Sequence, residues 1–147
     1  MIANSEKGIV KKSLGFTMIE LLVAATIIAV LSAIGMVAFR SANIRARDGK
    51  RKADIEQVRA ALELYRSDVG SYPSHDTGGT TAANFNLMIT DLQSPPAPYD
   101  ANNYLTNAVE DPVNDVTYFY SYSSPGTSYQ VCAVLEVDDS SYCLNSP

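Results

Sequence analysis

The sequence has no tryptophan, one histidine (His75), no CxxC pair and fewer basic than acidic residues. One histidine cannot form a His cluster for a metal. No Ser-His-Asp order, metal-binding cluster or phosphate loop occurs along the chain either, so it does not read as an enzyme. His75 opens the Gly/Thr-rich run 75–81 and reads as a solvated loop residue. Without a CxxC pair, and with no histidine near Cys132 or Cys143, neither zinc binding nor thiol redox catalysis is indicated. The basic deficit bears on partners. Eleven Lys and Arg face 16 Asp and Glu, for a net charge of -5; residues 1–15 hold three Lys and one Glu, so the remainder stands at -7. Phosphate binding needs a basic surface, which counts against nucleic acid as the main partner. Proline is absent before Pro73, so no proline breaks a helix in the N-terminal half.

What is present is unevenly spread. Residues 1–15 form a short net-basic leader with Lys7, Lys11 and Lys12. Residues 16–39, FTMIELLVAATIIAVLSAIGMVAF, are apolar apart from Glu20. As a helix this run spans roughly 36 Å, enough for a bilayer core of about 30 Å. A secretory signal peptide has a shorter apolar region followed by a small-x-small site. Ser32-Ala33-Ile34-Gly35 imitates such a site, but the run continues to Phe39. Arg40, Arg45, Arg47, Lys50, Arg51 and Lys52 follow. By the positive-inside rule this flank belongs in the cytoplasm, yet the leader is basic too, so the rule does not decide.

The helical pattern outlasts the apolar run. Ile55, Val58, Leu62, Tyr65 and Val69 recur at spacings of three and four and make one apolar face. Arg51, Lys52, Asp54, Glu56, Arg59, Glu63 and Arg66 occupy the others, with Lys52–Glu56 and Arg59–Glu63 spaced for ion pairs. Gly70 is a C-terminal stop. One helix from about Phe16 to about Val69 follows; Gly35 is its weakest point, at about 1 kcal/mol relative to Ala. Beyond it lie loop signals at 75–81 and 94–98, with a short helix expected at Ala83–Leu92 through Phe85, Leu87, Met88 and Leu92. Thr117–Tyr122 and Tyr129–Glu136 read as strands around the turn Ser124–Thr127. Two strands alone are marginal, so this hairpin must pack on the long helix. The expected class is α+β: a long N-terminal helix, with a transmembrane half (16–39) and an amphipathic half (40–70), packed against a small antiparallel sheet in 71–147.

An even cysteine count, close spacing and a membrane-targeted chain favour a Cys132–Cys143 disulfide formed outside the cytoplasm, with two free thiols as the alternative. Glu20 is the most informative residue. A carboxylate inside an apolar helix is costly unless partnered, which makes it a functional candidate, although one near the interface can also reach water.

Gly15-Phe16-Thr17-Met18-Ile19-Glu20 heads the apolar run. Here the sequence resembles the type IV pilin family, which includes pilins and type II secretion pseudopilins. Its pattern is a basic leader ending in Gly, then Phe-Thr-Leu-Ile-Glu and an apolar helix; Met18 stands here for the usual Leu and Leu14 for a common Lys. The resemblance implies the pilin fold and cleavage between Gly15 and Phe16 by a membrane prepilin peptidase, with N-methylation of Phe16. It also implies pairing of Glu20 with a neighbour's Phe16 amine, supported by Thr17. The leader side would be cytoplasmic. The chain would rest in the lipid of the inner membrane and polymerise on an assembly platform into a homo-oligomeric filament. Ala24, Ala25, Ala29, Ser32, Ala33 and Gly35 suit close helix packing there, as they suit any membrane anchor. The implied function is a structural subunit of a type IV pilus or a type II secretion pseudopilus; a minor pilin or membrane-anchored envelope binding module is the alternative. Asp111-Pro112-Val113-Asn114, followed by Tyr118 and Tyr120, is similar to the Asp-Pro-x-x-Asn-x-Tyr region of major pseudopilins, where a loop can bind calcium. Asp111, Asn114 and Asp115 are oxygen donors of the type the ion prefers; a plain Asp-Pro turn is the other reading. No other cofactor is implied. Cys132 and Cys143 resemble the C-terminal disulfide of pilins, so the two features point to different subtypes.

Overall fold

The computed structural model describes residues 15–76, 78–107 and 109–147; the leader segment 1–14, with its three lysines, lies outside the described residues. The long helix, α1, runs from Met18 to Val69 and passes through Gly35 without a break. Gly70 ends it at φ +88°, its N–H donating to Arg66 O at 2.8 Å, a left-handed cap that glycine adopts without steric strain.

The chain divides into two compact units, residues 1–39 and 40–147. In the first, every large apolar side chain from Phe16 to Phe39 is exposed. Its helical stretch, with a mean hydropathy of 2.6, is long and apolar enough to cross a membrane. Apolar surface on this scale marks contact with lipid or other chains.

The second unit has a packed core. Ile55, Val58, Leu62 and Tyr65 of α1 are buried, as the three-four spacing predicts. Helix α2 spans Ala82–Gln93 and starts on an N-cap, Thr81, whose hydroxyl accepts from Asn84 N. Phe85, Met88, Ile89 and Leu92 face the core, but Leu87 is 50% exposed: two residues beyond Phe85 it points about 200° away. The sheet is a three-stranded antiparallel meander, β1 (Tyr120–Ser123), β2 (Gln130–Val134) and β3 (Ser141–Asn145), in the order β1-β2-β3. Tyr122 pairs with Val131, and Cys132 with Cys143. Phe85 meets Tyr120 edge-on at 5.3 Å, joining α2 to β1.

The expected hairpin is therefore extended, because β3 adds a third strand. Ser-Tyr-Cys-Leu-Asn has no β-branched residue, so local propensity does not mark it; pairing with β2 makes it a strand. Strand β1 also begins later than Thr117. The Asp115 carboxylate accepts from Thr117 N and Tyr118 N, both at 2.8 Å, and holds that stretch in a turn. The ion pairs on α1 differ as well. Arg59 lies 2.9 Å from Glu56, Lys52 sits over the Tyr142 ring, and Glu63 accepts from the Tyr72 and Tyr129 hydroxyls.

Cys132 and Cys143 form a disulfide across the β2–β3 pair, 11 residues apart in sequence. Closing a loop this short restricts the unfolded chain by roughly 2–3 kcal/mol. Replacing both cysteines by serine is expected to lower the Tm of the 40–147 unit by about 10 °C. Thermal melts of native and variant chains, with and without reductant, check this: the reductant should bring the native curve onto the variant's.

Candidate functional site

The N-terminal site is built on the start of α1. The first turn of a helix leaves backbone N–H groups without partners. Thr17-Met18-Ile19-Glu20 has the Ser/Thr-x-x-Glu spacing of a capping box, which meets that need reciprocally. Glu20 Oε2 accepts from Thr17 N and from Thr17 Oγ1, both at 2.8 Å, while Glu20 N donates to Thr17 Oγ1 at 3.3 Å. Both bonds to the carboxylate fall on Oε2, leaving Oε1 without a donor among the described residues. The carboxylate lies at the positive end of the helix dipole, a favourable position for an anion. Gly15 and Phe16 precede the helix in non-helical, exposed chain. Sequence reasoning pairs Glu20 with an amine and misses this second role, although the Thr-x-x-Glu spacing spells it out.

A second cluster lies in the 40–147 unit. Arg51 is completely buried, not on a solvated face. Its guanidinium forks onto Asp111, with Nε to Oδ2 at 2.7 Å and Nη2 to Oδ1 at 2.8 Å. Its Nη1 donates to Asp48 Oδ1 at 2.8 Å and Glu136 Oε1 at 2.6 Å. Arg47 joins from one turn earlier, Nε to Glu136 Oε1 at 2.7 Å. Asp48 in turn accepts from the backbone N–H groups of Glu136 and Val137. Burial pushes the Asp111 carboxyl up, but Arg51 and the N–H groups of Val113 and Asn114 outweigh it and hold it below the usual carboxylate range. The Arg47 hydrogen bond, with Arg51 behind it, outweighs burial and holds Glu136 down likewise. The sequence does carry a signal for this cluster: Asp48 and Arg51 continue the 55-58-62-65 stripe toward the N-terminus at the same spacing, so they face the core.

A family model described as Type II secretion system (T2SS), protein G, matches residues 39–138, and one described as the prokaryotic N-terminal methylation motif matches residues 10–36. The chain is 30% identical over 115 residues to the type II secretion system core protein G of Pseudomonas aeruginosa, covering 77% of this chain and 75% of that one. This chain belongs to the type II secretion system protein G family. Core protein G of Vibrio cholerae is 29% identical over 118 residues (79% of this chain, 74% of the other), and that of Klebsiella michiganensis 27% over 119 (80% and 78%). No solved structure matches the chain. As a protein G family member it is a structural subunit of the pilus and pseudopilus class, with the expected α+β architecture.

In this protein G family member the three residues of the calcium resemblance are already engaged. Both Asp111 oxygens receive Arg51, and Oδ1 also accepts from Val113 N at 2.9 Å and Asn114 N at 3.2 Å. Asn114, at φ +47°, donates its side-chain amide to Glu110. Asp115 Oδ1 faces two backbone N–H groups. Among the described residues, no three His, Cys, Asp or Glu side chains are grouped to hold a metal ion. As arranged, Asp111, Asn114 and Asp115 form a turn, and the set does not fit calcium. His75 is likewise more than a solvated loop residue: its Nε2 lies 2.8 Å from Asp91 Oδ2, and its backbone exchanges two hydrogen bonds with Ser124.

Proposed function

We propose that this protein is the major subunit of a type II secretion pseudopilus, made as a precursor and cut between Gly15 and Phe16. The observation that carries the reading is Gly15-Phe16-Thr17 and Glu20 at the head of a membrane-length helix, on a chain that matches protein G over residues 39–138. A prepilin peptidase cuts the leader and methylates the Phe16 amine. Residues 16–39 then anchor the chain in the inner membrane, with the 40–147 unit on the exported side. The Cys132–Cys143 disulfide supports export, because such bonds persist in oxidising compartments. Polymerisation on the inner-membrane platform draws the helices out of lipid. Oε1 of Glu20 then takes the Phe16 ammonium of a neighbour and sets the register, while Thr17 keeps the carboxylate oriented.

A depression lies beside β1. It measures about 200 Å³ and is lined by Phe85, Ile89, Tyr120, Glu110 and Asp111 among others, and its two carboxylates are occupied by Asn114 and Arg51.

Mass spectrometry of membrane and sheared extracellular fractions tests the reading. The expected N-terminal peptide starts at N-methylated Phe16 and is found with membranes; replacing Gly15 by tryptophan should leave more than about nine-tenths of the chain uncut, because a bulky side chain cannot take glycine's conformations. Recovery of the intact leader in the native chain, or a terminus just after 32–35, overturns it. The same Phe16 terminus in abundant sheared filaments would assign the subunit to a surface pilus instead.

A further inference from the structure

Eight Lys and Arg lie behind the leader, all between residues 40 and 66; residues 67–147 hold ten Asp and Glu and no Lys or Arg. The fold employs five of the eight. Arg47 and Arg51 bond to Glu136 and Asp111, Lys52 stands over Tyr142, Arg59 pairs with Glu56, and Arg66 donates to the Tyr72 hydroxyl at 2.9 Å. Arg40, Arg45 and Lys50 remain. All three are exposed, and none has a hydrogen bond, ion pair or ring contact among the described residues. They begin at the residue directly after the apolar run, which ends at Phe39.

Their spacing favours one kind of surroundings. At about 100° per residue, five positions turn an α-helix by about 140° beyond a full turn, so 40, 45 and 50 point in three directions spread around α1. A partner docked on one side of a helix meets one of these directions; a layer that surrounds the helix meets all three. Each step of five rises about 7.5 Å. The polar layer on one side of a bilayer is about 5–8 Å deep. Helical side chains lean toward the N-terminus, here the direction of Phe39. Arg40 and Arg45 can therefore share that layer, while Lys50 stands one step further out.

We propose that Arg40 and Arg45 bind the phosphates of anionic phospholipid headgroups on the exported face of the membrane, with Lys50 adding a weaker attraction at longer range. This rests on residues 16–39 lying in the bilayer, as proposed above. A planar guanidinium matches phosphate oxygens two at a time, and its apolar stem suits the hydrocarbon edge. The rest of the unit is acidic and is repelled by the same headgroups, so contact is confined to the flank. Basic charge on the exported side runs against the positive-inside rule. Here it holds the subunit at the lipid surface until assembly.

The chain has no tryptophan, so Phe39→Trp places a single indole beside Arg40. The full chain carrying it is reconstituted in vesicles where acyl-brominated phosphatidylglycerol or phosphatidylcholine quenches the fluorescence, and the ratio gives the preference for the anionic lipid. About fivefold is expected at low salt, the factor that one basic residue contributes at an anionic surface. At about 1 M salt, where the Debye length is about 3 Å, the preference should fall below about twofold. Arg40→Gln combined with Arg45→Gln should abolish it, and Lys50→Gln should lower it by about a third or less. An excess of glycerol phosphate should not reduce it. Reduction by that soluble headgroup would mean a site for free phosphate and overturns the proposal. Equal quenching by the two lipids overturns it alone, whereas no quenching by either removes the membrane reading of residues 16–39 with it. A preference unchanged in the double variant also overturns it; loss of cross-linked dimers in that variant would then assign the two arginines to a second copy of the chain.

Discussion

Glu20→Ala is expected to leave the Gly15–Phe16 cut and methylation intact and to lower filament yield about 10- to 100-fold. The magnitude follows from the bond removed. A charge-assisted hydrogen bond contributes about 1.5–3 kcal/mol, and each 1.4 kcal/mol is tenfold in the equilibrium for adding a subunit. Processing should be spared because the proposed Gly15–Phe16 cut precedes the helix, in exposed, non-helical chain. Oε2 caps its own helix through Thr17, which leaves Oε1, without a donor among the described residues, for the proposed pairing with a neighbour. Thr17→Val should therefore have a smaller effect. It removes the cap, about 1 kcal/mol, and leaves the charge, so yield should fall about fivefold. Glu20→Gln keeps a hydrogen-bonding side chain without the charge and should resemble alanine in assembly. Immunoblots of chemically cross-linked oligomers in the membrane fraction, beside N-terminal mass spectrometry of the same fraction, read both quantities. A normal filament yield from Glu20→Ala would remove the register role.

The second large effect is on stability. Arg51→Met is expected to destabilise the 40–147 unit by about 3–5 kcal/mol, because it leaves Asp48 and Asp111 without their buried cation and Glu136 with Arg47 alone. That is a large share of the 5–15 kcal/mol typical of a domain, and the Tm should fall by more than about 10 °C. Arg59→Ala is the contrast. Arg59 is exposed and pairs with Glu56 three residues away, and its loss should stay within about 0.5 kcal/mol. The cluster also sets the acid limit. Asp111 and Glu136 have folded pKa values below their unfolded ones, so their contribution is full above the unfolded value, near pH 4, and is lost as pH falls through the depressed values. Native stability should be flat from about pH 8 to pH 5 and decline below about pH 4, while in Arg51→Met the decline should be shallower, because Asp111 loses its Arg51 bond and Glu136 keeps that of Arg47. Urea titrations across this range measure both. A chain whose stability holds unchanged to pH 2 would contradict the assignment.

Features that depend on neighbours along the chain are legible in one dimension. The apolar run, the three-four stripe on α1, the Gly70 stop and the position of α2 all follow from short-range periodicity and turn chemistry, and the helices lie where those signals put them. The capping box is legible in the same way, in Thr17 and Glu20, but a lone charge in an apolar run is the more conspicuous signal and masks it. The basic flank shows the limit of composition. Six positive charges after Phe39 read as a cytoplasmic signature. Two of them, Arg47 and Arg51, fold into pairs with Glu136, Asp48 and Asp111, and a third, Lys52, lies over Tyr142.

By itself the sequence determined that the chain has a membrane-length N-terminal helix with one carboxylate at its head, a junction before it that resembles a prepilin peptidase site, and a small α+β unit behind it with two cysteines placed to pair. These are one-dimensional properties: length, hydropathy, period and the identity of adjacent residues. Only the tertiary structure decided that β3 exists, that the Asp111 loop is an arginine-held turn, and that Glu136 belongs with Arg47 and Arg51. Each of those joins residues between 7 and 89 positions apart. Contacts at that separation form only once the core of α1, α2 and the sheet has brought the segments together, and no local propensity encodes them.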